Sequence, residues 1–261
     1  MDQEVWGELT PPADGHLVRL IGGAMIRART LDDEWEIARS YPGPEVDTCA
    51  VGGADGAVDT DIAWTRFVTV RNDTLTLKPG LPDRPVVVRP ESPIVILPGR
   101  WGRFFVSIPL WIRFVSGAAG RDTVVEEVPS SVLPSTWFGD IGNGELCYAL
   151  DVPLRRDVDP VADPAVATCE VRVTNGSKER LRFERICVHA EHMRLYRADA
   201  RLWTNDVRVV FRGSDQVSQL TFRNGPPERH PSGVVVGEPR VAPESSIIKR
   251  SFTLFREITG F

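Results

Sequence analysis

A chain of 261 residues, 42% hydrophobic and 26% charged, has the balance of a folded protein and is long enough for one large β domain or two of about 120 residues. Its net charge of −5, with basic groups such as Arg100, Arg103, Arg155, Arg156, Arg180 and Arg182 dispersed among acids, excludes a general phosphate-backbone binder, so no nucleic-acid partner is expected. The acidic opening MDQEVWGELTPPADG is not a secretory signal, no apolar run nears the roughly 20 residues of a membrane span, and the four cysteines are expected to be free thiols of a cytoplasmic protein.

Along the chain, scattered Pro and Gly punctuate short apolar runs, the pattern of many strands and turns. Strands are expected at 16–21, 24–28 and 34–38; in the last, Trp35 and Ile37 alternate with Glu34 and Glu36. A Gly/Asp loop at 51–61 follows, then strands at 65–70 and 74–77. Six prolines between 79 and 98 restrict the next strands to 86–88 and 94–97, because proline has no N–H for a ladder. The aromatic, β-branched run RWGRFFVSIPLWIRFVSG predicts two strands bent at Pro109, with Trp101 and Trp111 more naturally core or edge residues than a ligand platform.

The small, polar segment 117–121 suggests a boundary, giving an N-terminal unit at 1–120 and a second at 121–244. Strands are expected at 124–128 and 146–150, then a proline-punctuated loop at 157–167. In CEVRVTNGSKERLRFERICVH, Cys169, Val171 and Val173 alternate with polar residues. Asn175-Gly176 then predicts a turn into a pairing strand carrying Leu181 and Phe183. The apolar phase slips to Ile186 and Val188, predicting a β-bulge at Glu184–Arg185. Strands at 207–211 and 217–222 complete an all-β chain of immunoglobulin-like sandwich units. At 245–261, Ile248, Phe252, Phe255 and Ile258 fall on one helical stripe, predicting a short amphipathic helix that docks on its own sheet, on another subunit or on a membrane surface.

Chemical motifs are sparse. No glycine-rich phosphate loop and no GxSxG elbow occurs, and the cysteines form no CxxC knuckle. On an extended strand Cys187, His189 and Glu191 share a face, which allows a small structural metal site around His189; the plainer reading, a buried thiol beside a partly exposed strand end, is preferred at this point. Asp140 and Glu145 flank the glycine-rich FGDIGNGE turn, and with Trp137 as a platform they suggest a carbohydrate-active sandwich. The Asp55, Asp59 and Asp61 loop lacks the ligand spacing of an EF-hand. No catalytic residue, cofactor or metal is assigned from these patterns.

Two segments taken together resemble a known family. VRPESPIVILPGRWGRFFVSIPLWIRF, with Pro90, Glu91, Pro93 and Pro98, is similar to the proline-rich strand pair of the domain of unknown function 432 family of archaea and bacteria. The closing IIKRSFTLFREITGF and the central STWFGDIGNGELCYAL resemble its members as well. The resemblance carries no catalytic residues; it implies a cytoplasmic protein and, through association with small mechanosensitive-channel genes, a membrane-protein partner. The expectation that follows is a non-enzymatic interaction or structural protein. It would act through a protein partner or self-association at Phe252, Phe255 and Ile258, with Trp101 and Trp111 next, or through peripheral membrane contact by the terminal helix.

Overall fold

The computed structural model describes residues 5–13, 15–31, 34–42, 62–68, 74–117, 122–139, 142, 144–213, 218–242 and 247–248. In chain order the strands begin with β1 (Gly7–Glu8), β2 (Leu17–Ile21), β3 (Ala24–Leu31), β4 (Glu34–Ser40), β5 (Thr65–Val68) and β6 (Leu75–Gly80). They continue with β7 (Val86–Arg89), β8 (Ile94–Ile96), β9 (Trp101–Pro109), β10 (Trp111–Ser116), β11 (Thr123–Pro129), β12 (Ser135–Phe138) and β13 (Glu145–Asp151). The last are β14 (Val166–Asn175), β15 (Leu181–Phe183), β16 (Ile186–Val188), β17 (Leu195–Ala198), β18 (Arg201–Thr204), β19 (Val207–Phe211), β20 (Gln219–Phe222), β21 (Val234–Gly237) and β22 (Ile247–Ile248). A 3-10 turn at Ala190–His192 is the helical piece among them. The protein is all-β, and no helix among the described residues is long and apolar enough to cross a membrane.

Two compact units emerge: residues 1–80 with 109–132, and residues 81–108 with 133–261. The first holds two antiparallel sheets, ordered β1-β6-β10-β11 and β2-β3-β4-β5. Period-2 alternation decides which faces are buried: along β3, Ala24, Ile26 and Ala28 are inside while Met25, Arg27 and Arg29 are partly exposed. Gly23 N–H donates to Ser130 O at 2.8 Å, Tyr41 Oη donates to Pro129 O at 2.8 Å, and Arg39 pairs with Glu126, so the two sheets are tied along one end. The strands on either side of segment 117–121 are β10 and β11, and they pair with each other from Trp111↔Pro129 to Ser116↔Thr123.

The second unit contains a four-stranded sheet, β12-β13-β7-β16, a β15-β8 ladder, and an eight-stranded sheet. In the eight-stranded sheet β21-β17-β18-β14-β19-β20-β22 lie in order and β9 also pairs with β14. Val86, Val87 and Val88 are wholly buried on β7, which runs parallel to β13 and antiparallel to β16. A strand covered on both faces reads as a continuous apolar run, which is why this short segment is central. β14 is parallel to both β18 and β19. Such pairings are foreign to the antiparallel sheets of an immunoglobulin-like sandwich.

Two local expectations change. β14 does not pair with the strand after Asn175-Gly176; β15 pairs instead with β8, Leu181↔Ile96 through Phe183↔Ile94. The cause is the Asn175 side chain. It is fully buried, its Nδ2 donates to Ile96 O at 2.8 Å and to Glu179 O at 2.7 Å, and its Oδ1 accepts from Ser177 N at 3.0 Å, so it organises a wider loop anchored to β8. The phase slip at Glu184–Arg185 is a change of partner, from β8 for β15 to β7 for β16, rather than a bulge in one ladder. At the far end, Ile247 and Ile248 form β22 against β20, Leu220↔Ile247 and Gln219↔Ile248, so the expected terminal helix does not include them. The remainder of that stripe, Phe252, Phe255 and Ile258, lies outside the described residues.

Candidate metal centre

The four-stranded sheet of the second unit gathers the polar residues that the sequence keeps apart. β13 and β16 flank β7, with Ala149 and Cys187 both opposite Val87. Side chains two apart on a strand share a face. Glu145 and Cys147 therefore lie on the face of Ala149 and Val87, and Cys187 joins them from the other side. His189, just past the end of β16, completes the group. Among the described residues, a carboxylate oxygen of Glu145, the Cys187 sulfur and a ring nitrogen of His189 lie within 4.8 Å of one another.

His189 is wholly buried, which corrects the expectation of a partly exposed strand end. Its Nε2 lies 3.9 Å from Cys187 Sγ and 3.7 Å from Glu145 Oε1, while its Nδ1 lies 3.2 Å from Glu191 Oε1. A carboxylate can only accept, so Nδ1 carries the proton toward Glu191, and Nε2 is left with a lone pair that can accept from the Cys187 thiol. Glu191 therefore does not extend the row of Cys187 and His189. The 3-10 turn at Ala190–His192 swings it behind the ring, where Arg240 N and Val241 N both donate to its backbone oxygen.

This is the arrangement by which a carboxylate fixes the tautomer of a metal-ligating histidine. Zinc bond lengths to sulfur, nitrogen and oxygen in a tetrahedron place the donors roughly 3.3–3.6 Å apart. The observed 3.7 and 3.9 Å need to close by a few tenths of an ångström. Mixed sulfur, nitrogen and oxygen donors suit a zinc-class ion and not calcium or magnesium, which take oxygen ligands. Glu145 keeps 29% of its side chain exposed, leaving a route in from solvent. The Cys187 thiol is held well above its ordinary pKa by its interaction with the neighbouring Cys147 thiol and by burial.

The other sequence candidates fall elsewhere. Trp137 is opposite Leu146, whereas Glu145 is opposite Phe138, so Trp137 and Glu145 point to opposite faces of the sheet and do not line one carbohydrate cleft. Asp140, Asp55, Asp59 and Asp61 lie outside the described residues. Trp101 is exposed, with the Arg172 guanidinium 4.2 Å from its ring centroid, and Trp111 is buried on β10. A cleft of about 190 Å³ between Ser107, Arg155, Asp159, Thr168 and Arg201 is smaller than the roughly 300–1,000 Å³ of small-molecule sites. Its arginines are engaged, Arg155 with Asp159 and Arg201 with the carbonyls of Pro160 and Val161. Sequence reasoning placed Glu145 and His189 in different hypotheses. The available signal was two short strand-period patterns, Glu145-x-Cys147 and Cys187-x-His189, each half a site.

An all-β protein of several sheets, with a buried thiol–imidazole–carboxylate cluster inside one of them, is the class that these features define. The family described as Protein of unknown function (DUF432) matches residues 5–256, and the chain belongs to that family, as the proline-rich and terminal segments led one to expect. No curated protein and no solved structure matches the chain.

Proposed function

We propose that this chain is a non-enzymatic metal-binding protein, holding one zinc-class ion at Glu145, Cys187 and His189 as a clasp across the β13-β7-β16 sheet. The observation that carries the proposal is the convergence of three different donor types within 4.8 Å, two of them from wholly buried residues. Burial of a thiol and an imidazole together, with a carboxylate oriented behind the ring, is costly for apolar packing alone and favourable around a cation. The test is zinc content and calorimetric titration of full-length protein after dialysis against a chelator and resupply. One zinc per chain, lost in Cys187→Ser and His189→Ala, is expected. A content well below one per chain, or binding unchanged in both variants, would refute the proposal.

A protein partner or self-association is the second reading. It is favoured by Trp137 and Leu146, which are cross-strand neighbours, each about half exposed, on the face of β12–β13 turned away from the cluster. Native mass spectrometry of the full-length chain tests it. A bare monomer that remains monomeric across concentrations would count against it.

A further inference from the structure

Arginines that are dispersed along the sequence converge on one face of the eight-stranded sheet. Along β14, Glu170, Arg172 and Thr174 turn away from the side that buries Cys169, Val171 and Val173. β19 runs parallel to β14 with Arg208 opposite Arg172, so both guanidinium groups stand on that face. β9 also pairs with β14 and adds Trp101 and, two residues on, Arg103. At one end the face is covered: His230 packs on Trp203 with ring centroids 4.5 Å apart, and the Arg229 guanidinium lies 5.0 Å from the Phe105 ring. At the other end Trp101 remains 54% exposed, with the Arg172 guanidinium on its ring.

The charges on this face do not balance. Glu170 pairs with Arg229 at 3.2 Å, and the single carboxylate of Glu228 serves both Arg208 at 3.6 Å and Arg223 at 3.8 Å. The nearby Asp206 is buried and accepts from Glu228 N. Among the described residues Arg103 and Arg172 form no ion pair; each stands over a ring, Arg103 5.8 Å from that of Phe105. Like charges directly opposite on neighbouring strands repel, so the Arg172–Arg208 pair works against stability, and it does so on a chain whose net charge is −5. An unbalanced basic row beside an exposed indole fits an anionic partner that brings an apolar group with it.

We infer that this face docks an acidic segment of a partner protein. Its carboxylates are held by Arg103, Arg172 and Arg208, whose planar forks match carboxylate geometry, and an apolar residue beside them lies on the open side of Trp101. Single-stranded nucleic acid fits less well. It needs successive stacking platforms where this face exposes one ring, and Glu170 and Glu228 interrupt the row where a continuous phosphate backbone would run. The surface is separate from the Glu145–Cys187–His189 cluster, which belongs to the four-stranded sheet.

Fluorescence anisotropy tests the inference, with full-length protein titrated into a dye-labelled peptide of alternating glutamate and proline at low and high salt, and in parallel into labelled oligouridylate. Peptide binding that weakens with salt is expected, reduced about tenfold in Arg172→Ala and in Arg103→Ala. It should be unchanged in Arg182→Ala, which removes an exposed arginine of β15 that pairs with Glu184. Melting temperatures identify any variant whose fold is damaged, and the other arginine then carries the test. No peptide binding at low salt, or equal weakening in Arg182→Ala, would overturn the inference. Tighter binding of oligouridylate through the same arginines would overturn it in favour of nucleic acid. A dimer in native mass spectrometry that is lost in Arg172→Ala would overturn it in favour of a second copy of this chain.

Discussion

Replacing Asn175 by alanine tests the account of how the chain is steered from β14 toward the candidate centre. The side chain is fully buried and makes four hydrogen bonds: Nδ2 to Ile96 O at 2.8 Å and to Glu179 O at 2.7 Å, and Oδ1 from Ser177 N at 3.0 Å and from Ser177 Oγ at 2.8 Å. A net contribution of about 1 kcal/mol per bond puts the loss at about 4 kcal/mol. Asn175→Asp keeps the acceptor side but sets a carboxylate against two carbonyl oxygens, so it should cost at least as much. Ser177→Ala loses the hydroxyl's bond to Asn175 Oδ1 and two solvent-exposed bonds with the Glu179 backbone that water can replace, so it should cost about 1–2 kcal/mol. Urea unfolding of the full-length variants, followed by tryptophan fluorescence, gives the differences. A cost for Asn175→Ala no larger than that of Ser177→Ala would mean the loop is not organised by this side chain, and the explanation for the β8–β15 pairing would fail.

Three further outcomes follow from the geometry. Glu191→Gln should weaken zinc binding about 10–100-fold without abolishing it, because it loosens the hold on the His189 tautomer and leaves the donor atoms in place; an unchanged zinc affinity by competition with a chelating dye would exclude the relay. Burial pushes the Asp206 carboxyl above its ordinary pKa, and burial together with the Asp206 charge does the same to Glu170. The native state therefore takes up these protons before the unfolded chain does. Their contribution to stability is lowest at neutral pH and grows as pH falls through the raised folded values toward the unfolded ones. Asp206→Asn, which still accepts the 2.8 Å bond from Glu228 N, should be more stable than the parent at pH 7 and flatter between pH 7 and 4; urea midpoints showing a less stable variant at pH 7 would contradict this. The β17–β18 hairpin turns on Asp199 and Ala200, with φ of 48° and 59°, and a left-handed alanine costs about 1 kcal/mol relative to glycine. Ala200→Gly should accordingly raise stability by about that amount, visible as a higher melting temperature, whereas a drop would show that the turn gains something from the methyl group.

Much of the strand inventory is local and was legible. β2, β3, β4, β7 and β19 fall within a few residues of the segments read from alternation and proline placement, since which side chains can face inward is set by neighbours two apart on the same strand. The β17–β18 hairpin escaped because Asp-Ala lacks the Asn-Gly signal that its turn type ordinarily requires. Where Asn-Gly does occur, at Asn175-Gly176, the expected hairpin gives way to a loop, because a buried amide finds partners on β8 that are distant in sequence.

Composition and periodicity by themselves determined that this is an all-β chain of short, proline-punctuated strands, and short motifs pointed to its family. Only the tertiary structure decided which strands pair, and with that which polar residues meet. Glu145 and Cys147 on β13 become neighbours of Cys187 and His189 because Val86–Val88 inserts between their strands, parallel to one and antiparallel to the other. No local pattern encodes that choice. Strand pairing depends on hydrogen bonds and packing between segments dozens of residues apart, and a donor set assembled this way has no characteristic spacing in the sequence.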